Sequence, residues 1–149
     1  MHDDYTPSLA DWIAMLSIST RLIFEKVRER AIKEITAHLD EIEPFELIGL
    51  AVKYDVEKWL KPAYRRIVTR SNLITHKEAL KVPFPMAVML MRSREQYWKD
   101  HGAHSRSQQW PPGANVWPRG SPDSIIDSEI RAMELASIDT SRSEPNVAS

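Results

Sequence analysis

The stretch from Leu47 to Arg70, LIGLAVKYDVEKWLKPAYRRIVTR, constrains the fold most, because it calls for two helices and a corner within a few turns of chain. Leu47, Ile48, Leu50, Ala51 and Tyr54 keep the spacing of a buried helical stripe. The pattern turns at Tyr54-Asp55 and restarts through Trp59, Leu60 and Pro62 into a basic, aromatic helix. Asp55 suits the cap of that second helix, since a short carboxylate accepts hydrogen bonds from the free amides of a first turn. Pro62 has no amide hydrogen, so it either kinks this helix or opens a new one. The segments before it read as helices that pack on this corner.

Taken in order, residues 1–7 are polar and Ser8 suits a helix cap, with Asp11 three residues on as a weak capping box. Leu9, Trp12, Ile13, Leu16 and either Ile18 or Leu22 give the first helix its apolar face, and a break is expected near Ser19-Thr20-Arg21. A second helix from Phe24 to about Leu39 carries the stripe Phe24, Val27, Ala31, Ile32, Ile35 and Leu39. Its other face is charged and reads as solvated, with Glu29 and Lys33 in the favourable order, worth about 0.3 kcal/mol. Asp40 to Glu43 form an acidic linker, and Pro44 fits the first position of a third helix. Phe45 beside it suits either the core or a surface anchor. Beyond the corner, Thr75-His76-Lys77-Glu78 reads as a capping box opening a short helix to about Val82. A last helix runs from Met86 to about His101, with Met86, Met89, Leu90, Ser93 and Tyr97 inward.

No segment from 8 to 101 alternates as a half-buried strand does, so the fold class is all-α, a small bundle of five to six helices. At Gly102 the composition changes: 17 of the 48 residues from there to Ser149 are Ser, Pro or Gly. Such a segment buries too little to offset its ordering entropy, so a disordered tail is expected over 102–149. Residues 125–138, IIDSEIRAMELASI, are the exception and read as a short amphipathic helix with Ile126, Ile130, Met133 and Ser137 on one face. It suits either a docking motif or a nascent helix with no role.

Composition closes several routes. The 149 residues favour one domain with a modest core. A net charge of -1 gives no overall field toward nucleic acid or an acidic membrane. Without cysteine there is no disulfide, thiolate nucleophile or cysteine-metal site. MHDDYTPSLADW has no basic stretch followed by an apolar run, so no secretory signal is expected. No run reaches the roughly 18 apolar residues of a membrane span. The expectation is a soluble intracellular protein, cytoplasmic or nuclear, with no membrane partner.

Catalytic chemistry finds little support. His101 and His104 are spaced for one ion, but Gly102 lies between them and no third ligand is near, and His38, Asp40 and Glu41 are as loose. There is no Gly-x-Ser-x-Gly elbow and no glycine-rich phosphate loop. The pair Glu43 and Glu46 lies in a polar segment with no reason for a shifted pKa. The chain reads as a non-enzyme that needs no metal or cofactor.

One asymmetry stands out in 57–81, where seven Lys and Arg face only Glu57 and Glu78. Trp59 and Tyr64 are interleaved with the cations, which makes Trp59, Lys61, Tyr64, Arg65, Arg66 and Arg70 the candidate partner surface. Three readings fit. Trp59, Leu60, Ile67 and Val68 are core and the cationic stems merely cover it, or the segment anchors a protein partner, or its cations at 58–70 hold a phosphate backbone.

At these residues the chain resembles the C-terminal helical part of fungal BTB/POZ-domain proteins. The resemblance rests on SLADWIAMLSIST, FEKVRERAIKEI and, most specifically, AVKYDVEKWLKPAY from Ala51 to Tyr64. Thr75-His-Lys-Glu-Ala, with the following helix through Arg94-Glu95, looks like that family's closing helix and its downstream partner. The likeness spans roughly Leu9 to Tyr97, and its strength lies in the order of the four segments. It implies the terminal BTB helices and a helical, BACK-like extension, with the strands of the mixed BTB module expected ahead of them and missing before Met1. The functions it implies are recruitment of a BTB or cullin-type protein, as part of a ubiquitin-ligase adaptor or a transcriptional regulator. Helices that normally pack on a sheet would leave Trp12, Leu16, Phe24 or Ile32 partly exposed, which favours self-association.

Overall fold

Ser8 opens the first helix with a reciprocal cap. Its amide donates to Asp11 Oδ2 at 2.8 Å and its Oγ accepts from the Asp11 amide at 3.3 Å. In the computed structural model, which describes residues 6–105 and 121–142, seven α-helices follow and no strand occurs among the described residues. The chain divides into two compact units, Met1–Ala63 and Tyr64–Ser149. The division falls inside a helix, a boundary that hydropathy alone does not place.

In the first unit α1 (Leu9–Leu22) packs along α2 (Glu25–Ala37). The break expected at Ser19-Thr20-Arg21 comes later. The hydroxyls of Ser19 and Thr20 donate back to the Leu16 carbonyl, at 3.1 and 2.7 Å, so both residues stay helical. The chain turns instead at Ile23, in the left-handed region with φ 58°, and the amides of Ile23 and Phe24 both donate to the Ser19 carbonyl. A 3-10 turn, Leu39–Glu41, leads to α3 (Pro44–Tyr54), where Pro44 occupies the first turn and Phe45 is core. Asp55 does not cap the next helix. It ends α3, at φ 54°, with its amide donating to the Ala51 carbonyl, a conformation Asp adopts more easily than most residues. A 3-10 turn, Glu57–Trp59, then leads directly into α4 (Leu60–Thr69), whose first turn holds Pro62, where its missing donor costs nothing. Leu16, Ala31, Ile35, Phe45, Leu47, Ile48, Ala51 and Trp59 form the core of this unit.

The second unit takes the rest of α4, the short α5 (His76–Ala79), α6 (Phe84–Ser105) and α7 (Pro122–Arg142). Thr75 and Glu78 make the expected capping box, with the Thr75 amide 2.7 Å from Glu78 Oε2. In α6 the inward positions Met89, Leu90 and Ser93 are buried, and Met86 and Tyr97 half-buried. The amphipathic segment 125–138 lies within α7, which packs on α6. Ile125 and Ile126 are buried, Ile130 and Met133 half-buried and Ser137 exposed, so only the first half of the expected stripe is sealed. Helix therefore extends through Ser105 and over Pro122–Arg142. The remaining parts of the expected tail, 106–120 and 143–149, lie outside the described residues.

Candidate functional site

The basic segment is shared between the units. In the first, Trp59 has no exposed surface, and its Nε1 donates to Thr36 Oγ1 at 2.9 Å. Its partner on α2 donates onward to the Ile32 carbonyl, so the indole has an apolar body in the core and a satisfied polar edge. Lys61 is exposed. In the second unit Tyr64 is only 4 % exposed. Its hydroxyl donates to Met86 Sδ, a weak acceptor, at 3.5 Å, and burial pushes its pKa up to about 12. The two aromatic anchors expected at a partner surface are thus interior groups.

The cations are largely engaged. Arg65 forms a fork on Asp123 at the start of α7, at 2.9 and 2.6 Å, and this bond raises the Arg65 pKa. Arg65 is about half exposed, so the pair is a surface tether worth about 0.2–1 kcal/mol. Arg66 is half-buried. Arg70 makes two 2.8 Å bonds to the Glu78 carboxylate, which also holds the Thr75 amide.

That second carboxylate has a measurable signature. The Arg70 hydrogen bonds, helped by Thr75 and opposed by burial, lower the Glu78 pKa from 4.5 to about 2. A carboxyl whose folded pKa is depressed contributes stability that is complete above its unfolded pKa and lost as pH falls through the folded one. Stability is therefore expected to decline between about pH 4.5 and pH 2 through this group, and Glu78→Gln is expected to flatten that slope. Chemical denaturation at stepped pH measures it. Equal slopes in both proteins would show that Glu78 is not the group titrating.

Arg94, on α6, is the residue that sequence reading missed. It is buried, and its Nη1 donates to the carbonyls of Arg70 and, at 3.4 Å, Ile67, while Nη2 reaches the Ser71 carbonyl at 2.8 Å. Ile67 lies in the last turn of α4 and Arg70 and Ser71 just beyond it, so one guanidinium gathers the carbonyls at that helix's C-terminal end. Burial, and second the nearby Arg70, lower the Arg94 pKa, while the Trp98 ring lies 5.8 Å from the guanidinium carbon. One signal was available. Arg94 stands four residues after Leu90, beside the inward stripe, where a surface cation is out of place.

What the two units leave open is apolar. In the second, α6 and α7 flank a groove of about 780 Å3 lined by Phe84, Val88, Met89, Ala132 and Met133 among others, with the Arg92–Glu129 ion pair in its wall. Phe84 is 80 % exposed there. In the first unit Ile18, Leu22, Ile23, Phe24 and Val27 are all exposed around the α1–α2 corner. Of the four side chains expected to be partly exposed, Phe24 is exposed, Trp12 and Ile32 are half-buried and Leu16 is fully buried, while Ile18 and Leu22, expected on the apolar face of the first helix, both face solvent.

Among the described residues no three His, Asp or Glu gather closely enough to hold a metal ion. His101 instead bonds the Tyr97 carbonyl at 2.8 Å and stacks on the Tyr97 ring, and the side chain of His104 lies outside the described residues. No helix among the described residues is long and apolar enough to cross a membrane. Comparison of the chain with protein-family models, with curated proteins and with solved structures returned no match.

Proposed function

We propose that this chain is a non-enzymatic protein–protein interaction module whose partner docks an amphipathic helix or extended apolar segment into the α6–α7 groove. One observation carries the reading: Phe84, Val88 and Met89 share an open groove with Ala132 and Met133, and Phe84 is left largely in solvent. An exposed groove of large apolar and methionine side chains is the usual receptor for the apolar face of a helix. The resemblance to the helices of BTB/POZ proteins supports the same class of activity, and within it the role is that of an intracellular adaptor in ubiquitin ligation or transcriptional control. A BTB or cullin-type protein is the partner that this finer reading names.

The nucleic-acid alternative for 58–70 needs cations presented together on an open face. Arg65 and Arg70 are already held by Asp123 and Glu78, and Trp59 and Tyr64 offer no ring for a base to stack on. Affinity capture with the full chain, with and without nuclease, separates the two. Nuclease-insensitive recovery of a defined protein, lost on Phe84→Asp and little changed as salt rises, is the expected result. Recovery that nuclease or moderate salt abolishes, and that Arg65→Glu/Arg66→Glu removes, would replace this reading with phosphate-backbone binding.

A further inference from the structure

In the first unit α1 and α3 leave a groove of about 730 Å3 between them. Leu9, Ala10 and Ile13 line it from α1, and Ile42, Gly49 and Leu50 from the α3 side. Gly49 is the anomaly. It lies in the middle of α3 and is exposed, where glycine is less stable than alanine because it orders more backbone and packs nothing. Its backbone is helical, so no left-handed turn requires glycine. A Cβ at this position would meet no atom within 4 Å, so no described neighbour in this chain demands its absence. A bare backbone on an open helix face is explained where another backbone comes close to it.

The charges around the groove indicate what that other backbone carries. Glu41 and Glu46 line the groove and are exposed. Asp11, Asp40 and Glu43 stand beside lining residues in the chain and add the same sign. Asp11 is spent on the cap of α1 and Glu43 on that of α3, and Glu41 lies 2.8 Å from His38 Nδ1. Glu46 makes no ion pair among the described residues. Lys53 is the cation of the lining, and its ammonium lies over the Tyr54 ring, 5.2 Å from the centroid. Carboxylates therefore dominate the edge, a field that draws cations in and turns away nucleic acid and anionic lipid. An apolar floor between helices, edged by one sign of charge, suits an amphipathic helix of the opposite sign.

We infer that the α1–α3 groove receives a cationic amphipathic helix of a partner protein. Its apolar ridge lies on Leu9, Ile13 and Leu50, its backbone passes close over Gly49, and its Lys or Arg side chains reach Glu41 and Glu46. The site uses no residue of the α6–α7 groove, so it stands or falls independently of the function proposed above. The probe is a labelled synthetic peptide of Leu, Ala and Lys patterned as an amphipathic helix, with a counterpart carrying Glu in place of Lys. Titration with the full chain is expected to show saturable binding of the Lys peptide, about tenfold or more tighter than the Glu peptide. Gly49→Leu is expected to raise the Kd of the Lys peptide about tenfold or more by closing the approach. The same change is expected to keep or raise the melting temperature, because leucine is the better helix former, and this separates lost docking from lost folding. Glu46→Lys is expected to weaken the Lys peptide and strengthen the Glu peptide, and Phe84→Asp to change neither. No saturable binding of the Lys peptide overturns the proposal, as does equal binding of the two peptides. Binding that survives Gly49→Leu and Glu46→Lys but not Phe84→Asp overturns it by placing the peptide in the α6–α7 groove. Self-association in sedimentation that Gly49→Leu abolishes, with no peptide bound, assigns the groove to a second copy and overturns it too.

Discussion

Trp59→Ala is expected to lower the stability of the first unit by about 3–5 kcal/mol. The indole is the largest side chain with no exposed surface. Truncating it removes most of its apolar contact and leaves a cavity that its neighbours close only in part. It also takes away the Nε1–H bond that Thr36 Oγ1 accepts. Against the 5–15 kcal/mol typical of a domain, such a loss threatens the folded state at physiological temperature. Trp59→Phe keeps most of the volume and loses mainly the hydrogen bond, so about 1–2 kcal/mol is expected. Denaturant titrations followed by circular dichroism measure both. The contrast with a surface anchor is clear, because an anchor would leave the midpoint in place and abolish only binding. An unchanged midpoint in Trp59→Ala would return this residue to the surface.

Arg94→Met carries the second large effect, a destabilisation of about 2–3 kcal/mol in the second unit. Methionine keeps the length and apolar contact of the stem but offers nothing to the carbonyls of Ile67, Arg70 and Ser71. Three acceptors at the end of α4 then lose one shared donor group. The loss is not the sum of three charged hydrogen bonds, because removing a desolvated cation returns part of its burial cost. Arg94→Lys is expected to recover less than half, since an ammonium is a point donor and cannot span three carbonyls as a planar fork does. Amide exchange gives a local readout, with protection in the last turn of α4 falling before the rest of the unit melts. Uniform loss of protection across α6 instead would point to a packing defect, not a lost cap.

The candidate site shows where sequence reasoning stops. The cations of 58–70 were legible as a cluster, but their partners were not. Asp123 pairs with Arg65 from 58 residues away, and the Arg94 guanidinium reaches back 23 to 27 residues. Trp59 beside Lys58 and Lys61 reads equally as an anchor or as core from hydropathy. Its donor bond to Thr36, 23 residues earlier, depends on how the turn Glu57–Trp59 aims the ring at α2. Exposure at the α1–α2 corner is legible through Phe24. Leu16, which also belongs to the apolar face of the first helix, is fully buried whereas Ile18 and Leu22 are exposed, because spacing alone does not decide which edge of a stripe the neighbouring helix covers.

What the sequence by itself determined is what local chemistry controls. The all-helical class follows from apolar spacing, and the caps at Ser8–Asp11 and Thr75–Glu78 and the start at Pro44 follow from groups within three residues of one another. Tertiary structure alone decided which side chains of each helix face a neighbour and which charges find a partner. Helix periodicity fixes a stripe only to within about one residue in each turn. The packing of whole helices chose the interior for Trp59, Tyr64 and Arg94 and left Ile23, Phe24 and Phe84 in water.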